Sequence, residues 1–209
     1  VLLLACGLLL SSCTKPKGAE VAQEPDATQA MSEFTLTGYG TEGAARWKLT
    51  GRGATLEENI VTIMRPDGVG FEPERTAYLT ASAAQMNQQN RHVRMEHNVI
   101  IHTSDGVWFT TPVLHWIPDQ NQVATDQPVR IETDHMLVRG YGFLGLTELH
   151  HATVLEDVEV VLNPTDGETP QSGSQVFITC EGPLSFDYEH HIATFEENVH
   201  VRDPSGDLY

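Results

Sequence analysis

Residues 95–99 read Met-Glu-His-Asn-Val, and this five-residue pattern guides the fold prediction because it recurs along the chain. An apolar residue, Glu, a variable residue, Asn and an aliphatic residue return at 56–60 and 195–199. Degenerate copies stand at 154–158 and 125–129, so the fourth positions are 39, 30, 29 and 41 residues apart. Asn adopts unusual backbone angles and Pro cannot donate to a strand ladder. We therefore expect a corner or bulge at each fourth position.

Short runs of alternating apolar and polar residues surround these copies, separated by Gly, Pro, Asn and Asp. Residues 47–50, 107–111 and 129–132 are typical, and a period of two indicates strands with one buried face. Residues 76–86 are rich in Ala, but their period of two favours a strand over a helix. The chain therefore predicts an all-β fold of stacked hairpins, each unable to cover its apolar face alone.

The charge balance excludes several functions. The chain has 209 residues, with 12 Lys and Arg against 29 Asp and Glu, and a formal net charge of −17. This argues against nucleic-acid binding and against a basic patch on anionic lipid. The adjacent histidines at 150–151 and 190–191 would point to opposite faces of a strand, and no Gly-x-Ser-x-Gly or phosphate-binding loop occurs. We expect no enzyme activity, no cofactor and no metal site.

The first residues predict export and lipidation. Residues 1–12 (VLLLACGLLLSS) are uncharged and too short for a bilayer span, but they suit the apolar part of a secretory signal whose first residues are missing. Residues 10–13 (LSSC) resemble a bacterial lipobox, which predicts a diacylglyceryl group on Cys13. Modification of Cys6 and an uncleaved apolar anchor are the alternatives. Residues 13–32 predict a flexible tether and residues 33–209 the folded domain, with Cys180 as a buried core residue.

Several segments have an order and spacing that point to one family: 34–39 (FTLTGY), 47–51 (WKLTG), 97–101 (HNVII), 104–106 (SDG), 110–116 (TTPVLHW), 124–125 (AT), 128–131 (PVRI) and 138–143 (VRGYGF). Across residues 33–162 the chain resembles the LptC/LptA (OstA-like) family of periplasmic lipopolysaccharide-transport proteins, and most closely LptC. Residues 176–209 resemble one further hairpin. Many LptC-type members carry a transmembrane helix, whereas Cys13 here suggests a lipid anchor.

The resemblance implies a twisted antiparallel β-jellyroll, open along one side, with an apolar groove between two sheets. Its implied function is non-enzymatic: the groove shields lipopolysaccharide acyl chains, and the lipid passes to the next bridge protein. The residues expected to line the groove are the apolar ones of the best-patterned strands, with ordinary core packing as the alternative for each: Val99, Ile101, Phe109, Leu114, Trp116, Val129, Ile131, Leu137, Phe143, Val158 and Val160.

The resemblance also implies partners that bind by edge-strand pairing. The first strand, near residues 34–39, would meet inner-membrane ABC transporter subunits. The last strand, with Asn198, Val199 and Val201 at its edge, would meet an LptA-like bridge protein. The implied location is the periplasm, as a membrane-anchored lipoprotein, and only the resemblance favours the inner membrane.

Two other function classes stay open at this stage. One is a periplasmic or surface β-repeat scaffold or carbohydrate-binding protein without lipid transfer, and the other is an all-β polysaccharide-active enzyme. An open apolar cleft between sheets would favour transport, whereas a dry, fully packed core would count against transport and favour a scaffold. A cleft with converging carboxylates and exposed aromatic rings would favour an enzyme.

Overall fold

The computed structural model describes residues 29–40, 43–71, 75–146, 151–163, 175–188, 190, 192–203 and 206–208. These residues form one antiparallel sheet of 16 strands, and no α-helix occurs among them. The all-β prediction is therefore confirmed, including at residues 76–86, where two short strands form. The predicted signal segment, Cys13 and the tether up to residue 28 lie outside the described residues.

The strands are bounded as follows: β1 Gln29–Tyr39, β2 Ala45–Glu57, β3 Ile60–Met64, β4 Asp67–Phe71, β5 Thr76–Thr80, β6 Ala83–Asn87, β7 Val93–Thr103, β8 Trp108–Ile117, β9 Gln122–Glu132, β10 Met136–Leu146, β11 His151–Leu162, β12 Val176–Cys180, β13 Leu184–Asp187, β14 Ile192–Phe195, β15 His200–Asp203 and β16 Gly206–Leu208. β1 begins four residues before the expected domain boundary at Glu33. Its first residues lack an apolar period because β1 is an exposed edge strand paired with β2.

The sheet is an up-and-down meander: once interrupted strands are counted as single strands, neighbours in the sheet follow one another in chain order. Four strands of this meander are broken at the middle into the pairs β3/β4, β5/β6, β12/β13 and β14/β15. The long strands change partner or register at the corresponding positions, so the interruptions line up across the sheet. Backbone hydrogen bonds continue across them: the Arg65 N–H donates to the Ser82 carbonyl, and the Ser82 N–H to the His97 carbonyl, both at 3.0 Å.

Residues with positive φ mark these bends. Asn98 in β7 has a φ of 55°, Asp157 in β11 a φ of 50°, and Asn198, between β14 and β15, also a φ of 50°. The register of β7 against β8 shifts around Asn98, and the registers of β8 and β10 against β9 shift near Pro128. Asn and Asp tolerate the left-handed region better than most side chains do. The predicted bends are confirmed at these four positions.

Asn59 is the exception among the predicted bends. Glu57 pairs with Ile60, so Glu58 and Asn59 close a two-residue hairpin between β2 and β3. Glu58 has a φ of 52°, as such a tight turn requires. The same sequence pattern therefore marks a strand bend or a hairpin turn, and in this turn the positive φ belongs to Glu58, the third position of the pattern.

The bends divide the meander into two half-sheets. Half-sheet A contains β4, β5, β12, β15, β16 and the parts of the long strands beside them, and half-sheet B contains β3, β6, β13, β14 and the remaining parts. Trp47 of half-sheet A and Trp116 of half-sheet B have ring centroids 5.9 Å apart. Their strands lie four spacings apart along the sheet, about 19 Å. The half-sheets therefore fold over one another, with the apolar core between them.

Two threonine hydroxyls replace strand hydrogen bonds at the bend of β8. The ladder between β8 and β9 is interrupted between Thr110 and His115. The Thr125 Oγ1 donates to the Val113 carbonyl at 2.6 Å, and the Thr111 Oγ1 donates to the same carbonyl at 3.2 Å. Because both threonines are buried, these hydroxyls satisfy a carbonyl that solvent reaches poorly.

We expect Thr125→Val to lower the free energy of unfolding by about 1–2 kcal/mol, because the Val113 carbonyl loses its shorter hydrogen bond at nearly unchanged volume. Denaturant unfolding of the variant measures this loss. Thr111→Val is the matched control and should cost less, since its bond to the same oxygen is longer. A greater loss from Thr111→Val would contradict this account of the bend.

Candidate functional site

The interior between the half-sheets collects most of the apolar residues assigned above to a groove. Val99 and Leu114 have no exposed surface, whereas Ile101 and Trp116 are half-buried and pack against the core. Ten of the eleven assigned residues belong to this interior: Val99, Ile101, Phe109, Leu114, Trp116, Val129, Ile131, Phe143, Val158 and Val160. Strand alternation and the bends together direct them to one apolar space.

Leu137 lies on the opposite face. Neighbouring residues of a strand face opposite sides, and Val138 is fully buried in the interior. Leu137 therefore faces outward, where the register places it beside Val161. Leu137 and Val138 are both apolar, so the sequence alone cannot tell which of the two faces inward. Val138 takes the interior position that the sequence analysis gave to Leu137.

Other interior residues were missed by the sequence analysis. Ile63 and Leu184 are fully buried, but they lie on strands of five and four residues that are too short to show a period. Val154 is also fully buried, and the bend at Asp157 separates it from the alternating residues that follow. Tyr188 packs against the core just after β13, and burial raises the pKa of its phenol.

The interior is packed in this structure, which on the criterion set out above favours a scaffold over an open transport groove. Contacts between aromatic rings cross from one half-sheet to the other: Trp47 meets Trp116 edge-on, and Phe109 and Phe143 have ring centroids 4.8 Å apart. A guest chain can therefore enter this space only if the half-sheets separate and such contacts are broken.

Cys180 lies on the inner face of half-sheet A, where β12 pairs it with Val158. Its side chain is buried, its thiol donates to the Gly182 carbonyl at 3.3 Å, and burial raises the thiol pKa. The predicted core position is confirmed, and this thiol reports on solvent access to the interior.

The two ends of the meander are edge strands. Among the described strands, β1 pairs with β2 alone, and Met31, Leu36 and Tyr39 on it are exposed. At the other end, β14 and β16 are the outermost described strands of half-sheets B and A. Both ends therefore present strand edges on which another chain could add.

The residues predicted to form the last edge, Asn198, Val199 and Val201, do not lie on the outermost strands β14 and β16. Val201 belongs to β15, which pairs with β12 on one side and β16 on the other. Asn198 and Val199 lie in the bend, where the Asn198 side-chain amide donates to the Glu181 carboxylate at 2.6 Å. A proline at Val201 would break pairing on both sides of β15, so it would test folding rather than partner binding.

A groove of about 810 Å³ runs along the outside of the bends of β7–β11. Its charged lining includes Arg130, Arg139, Asp157 and Glu159, and Arg139 pairs with Glu159 at 3.6 Å. No group of three or more His, Cys, Asp or Glu side chains suited to a metal ion occurs in the described part of the chain.

The fold and its interior define a class of antiparallel β-jellyroll-like proteins in which two half-sheets of one meander enclose an apolar space. The family model described as "Lipopolysaccharide-assembly, LptC-related" matches residues 1–163. The chain belongs to this family, and the resemblance drawn from the sequence is confirmed. No curated protein gives a significant match.

Membership in this family gives the chain a role in lipopolysaccharide transport and assembly in the cell envelope. The family is one of transport and assembly proteins. Within the described residues, we find no helix with the length and hydropathy of a membrane span. The strands from β12 onward lie beyond the matched residues.

We expect Cys180 to react with a maleimide about tenfold or more slowly than a cysteine at position 179, because Thr179 is exposed on the opposite face. Mass spectrometry of the full chain gives both rates, with Cys6→Ser and Cys13→Ser in each protein. The matched control is Thr179→Cys with Cys180→Ser. Because its pKa is raised, Cys180 should also need a higher pH to react. Equal rates at every pH would contradict a closed interior.

Proposed function

We propose that this protein shields lipopolysaccharide acyl chains between its half-sheets and passes the lipid to the next protein of a periplasmic bridge. The observation that carries the proposal is the family match over residues 1–163, and the ten sequence-selected apolar residues of the interior, Val99 and Leu114 among them, supply an apolar space for acyl chains once the half-sheets separate. The sugars and phosphates of the lipid would stay in water while only the acyl chains enter.

The energetics require such a shield. Each methylene taken from hydrocarbon into water costs about 0.8 kcal/mol, so a lipid with several acyl chains cannot cross an aqueous compartment unprotected. An interior of aliphatic and aromatic side chains offers these chains an equivalent environment. The net charge of −17 fits recognition through the acyl chains, because the anionic phosphates would gain little from the protein as a whole.

The bends supply a physical means of opening. Strand pairing is already interrupted there, so the angle between the half-sheets can change with few hydrogen bonds lost. Entry of an acyl chain would replace the Trp47–Trp116 and Phe109–Phe143 contacts with contacts between each ring and the lipid. The apolar area removed from water would then stay nearly constant, which keeps the cost of opening low.

The edges and the anchor complete the proposal. β1 would pair with inner-membrane ABC transporter subunits, and the edge formed by β14 and β16 with an LptA-like bridge protein, each by β-augmentation. A diacylglyceryl group on Cys13 would hold the domain at the inner membrane as a periplasmic lipoprotein.

Photo-crosslinking from inside the interior tests the lipid route. With a photoreactive amino acid at Ile131 or Trp116, we expect adducts with lipopolysaccharide in cells, because both positions face the proposed path. Leu137, an aliphatic residue on the outer face, is the matched control and should give few adducts. Equal labelling from Leu137 and Ile131, or labelling from neither interior position in a folded protein, would contradict the proposal and favour a scaffold.

Crosslinking from the edges tests the partners. A photoreactive residue at Leu36 should capture a transporter subunit, and one at Ile192 the bridge protein, since both side chains are exposed on edge strands. Thr110, on a central strand, is the control and should capture neither. The edge assignment would be wrong if Thr110 captured the same proteins as the edge positions did.

A further inference from the structure

The net charge of −17 is unevenly distributed along the chain. Residues 29–71 include four basic and five acidic residues, whereas residues 72–209 include six and 21. The first strands are therefore close to neutral and the later strands strongly acidic. A surface on the first strands can attract an anion that the remainder of the protein repels.

Two cations project from the outer face of β2. Trp47 and Leu49 are directed toward the interior, so Arg46 and Lys48 face outward, and both are exposed. Neither forms an ion pair with any carboxylate in the described ranges. Both charges are therefore exposed within the part of the chain that the structure describes.

The other two cations of these strands are locally balanced. Arg52 and Arg65 line a groove of about 750 Å³ at the bends, together with Glu33 and Asp67. Arg46 and Lys48, closer to the start of β2, lie outside this groove.

A row of side chains continues from Lys48 across the outer face. The register joins Lys48 to Val69, Val69 to Tyr78, and Tyr78 to His102, which in turn pairs with Trp108. The His102 ring is stacked on the rings of Tyr78 and Trp108, with centroid-to-centroid distances of 4.7 Å and 4.8 Å. Yet Tyr78 is 38% and Trp108 49% exposed. Apolar rings thus stand in water on a face that strand alternation normally makes polar.

We propose that this outer face docks on a membrane leaflet containing anionic phospholipids, with the cations on lipid phosphates and the rings among the headgroups. We call this surface the basic-aromatic patch; it consists of Arg46, Lys48, Phe71, Tyr78 and Trp108. Trp and Tyr favour the interfacial region of a bilayer, and each cation near an anionic surface strengthens binding about fivefold.

The two cations lie far from the carboxylates of β9, because β2 and β9 are five strand spacings apart, about 24 Å, and the Debye length is about 8 Å at physiological ionic strength. At the other end of the patch, Glu132 of β9 lies beside Trp108, and Arg130 pairs with it at 2.7 Å. The docked face would hold β1 close to the membrane and orient the domain, which a flexible tether alone leaves free to rotate. The inference rests on the exposed patch itself and does not depend on acylation of Cys13.

Vesicle sedimentation tests the inference with the full chain carrying Cys13→Ser, so that no acyl group contributes. Binding to vesicles of phosphatidylcholine with phosphatidylglycerol is compared with binding to phosphatidylcholine alone. We expect Arg46→Gln with Lys48→Gln to weaken binding to the anionic vesicles by about 25-fold. The matched control, Arg91→Gln with Arg94→Gln, removes the same charge from half-sheet B, away from the patch, and should have little effect.

Three results would overturn the inference. The first is equal binding to both kinds of vesicle, and the second is an equal loss in the two double variants. The third is a dimer, measured by light scattering without vesicles, that Arg46→Gln with Lys48→Gln dissociates; the patch would then bind the acidic strands of a second copy. Protection of Trp108 from iodide quenching by anionic vesicles would support docking through the aromatic row.

Discussion

The interruption of strand pairing at the middle of the long strands β7–β11 is the constraint on which this structure depends. A continuous meander of this size would remain a single twisted sheet with one apolar face in water. Left-handed residues such as Asn98, Asp157 and Asn198 break the ladder at matching positions, so the sheet folds over itself. The apolar faces of the two half-sheets then cover each other, and the core, the edges and the outer face all follow from that folding.

The sequence carried much of this information, because bend and alternation are local properties. The recurring Asn or Pro located the bends, and period two directed ten of the eleven selected residues inward. Alternation failed where it is ambiguous: Leu137 and Val138 are both apolar, and only the register of β10 decides between them. Asn59 lies in a hairpin turn instead, where its neighbour Glu58 takes the left-handed backbone.

The parts that could not be predicted arise from pairing between distant strands. Nothing near Trp47 indicates that its ring meets Trp116, since that contact exists only after the half-sheets fold over. The stacked row from Tyr78 to Trp108 likewise needs the register of three strands. Net charge averages over the chain, so the position of Arg46 and Lys48 at one end of the sheet becomes visible only with the strand order.

The central claim is that the half-sheets move apart about the bends to admit acyl chains. Double electron–electron resonance between spin labels at Lys48 and His115 tests it most directly, because these residues adjoin Trp47 and Trp116 on opposite half-sheets. Addition of lipopolysaccharide should shift the distance distribution to longer values as the ring contact breaks. An unchanged distribution in protein that has demonstrably bound the lipid would contradict the account.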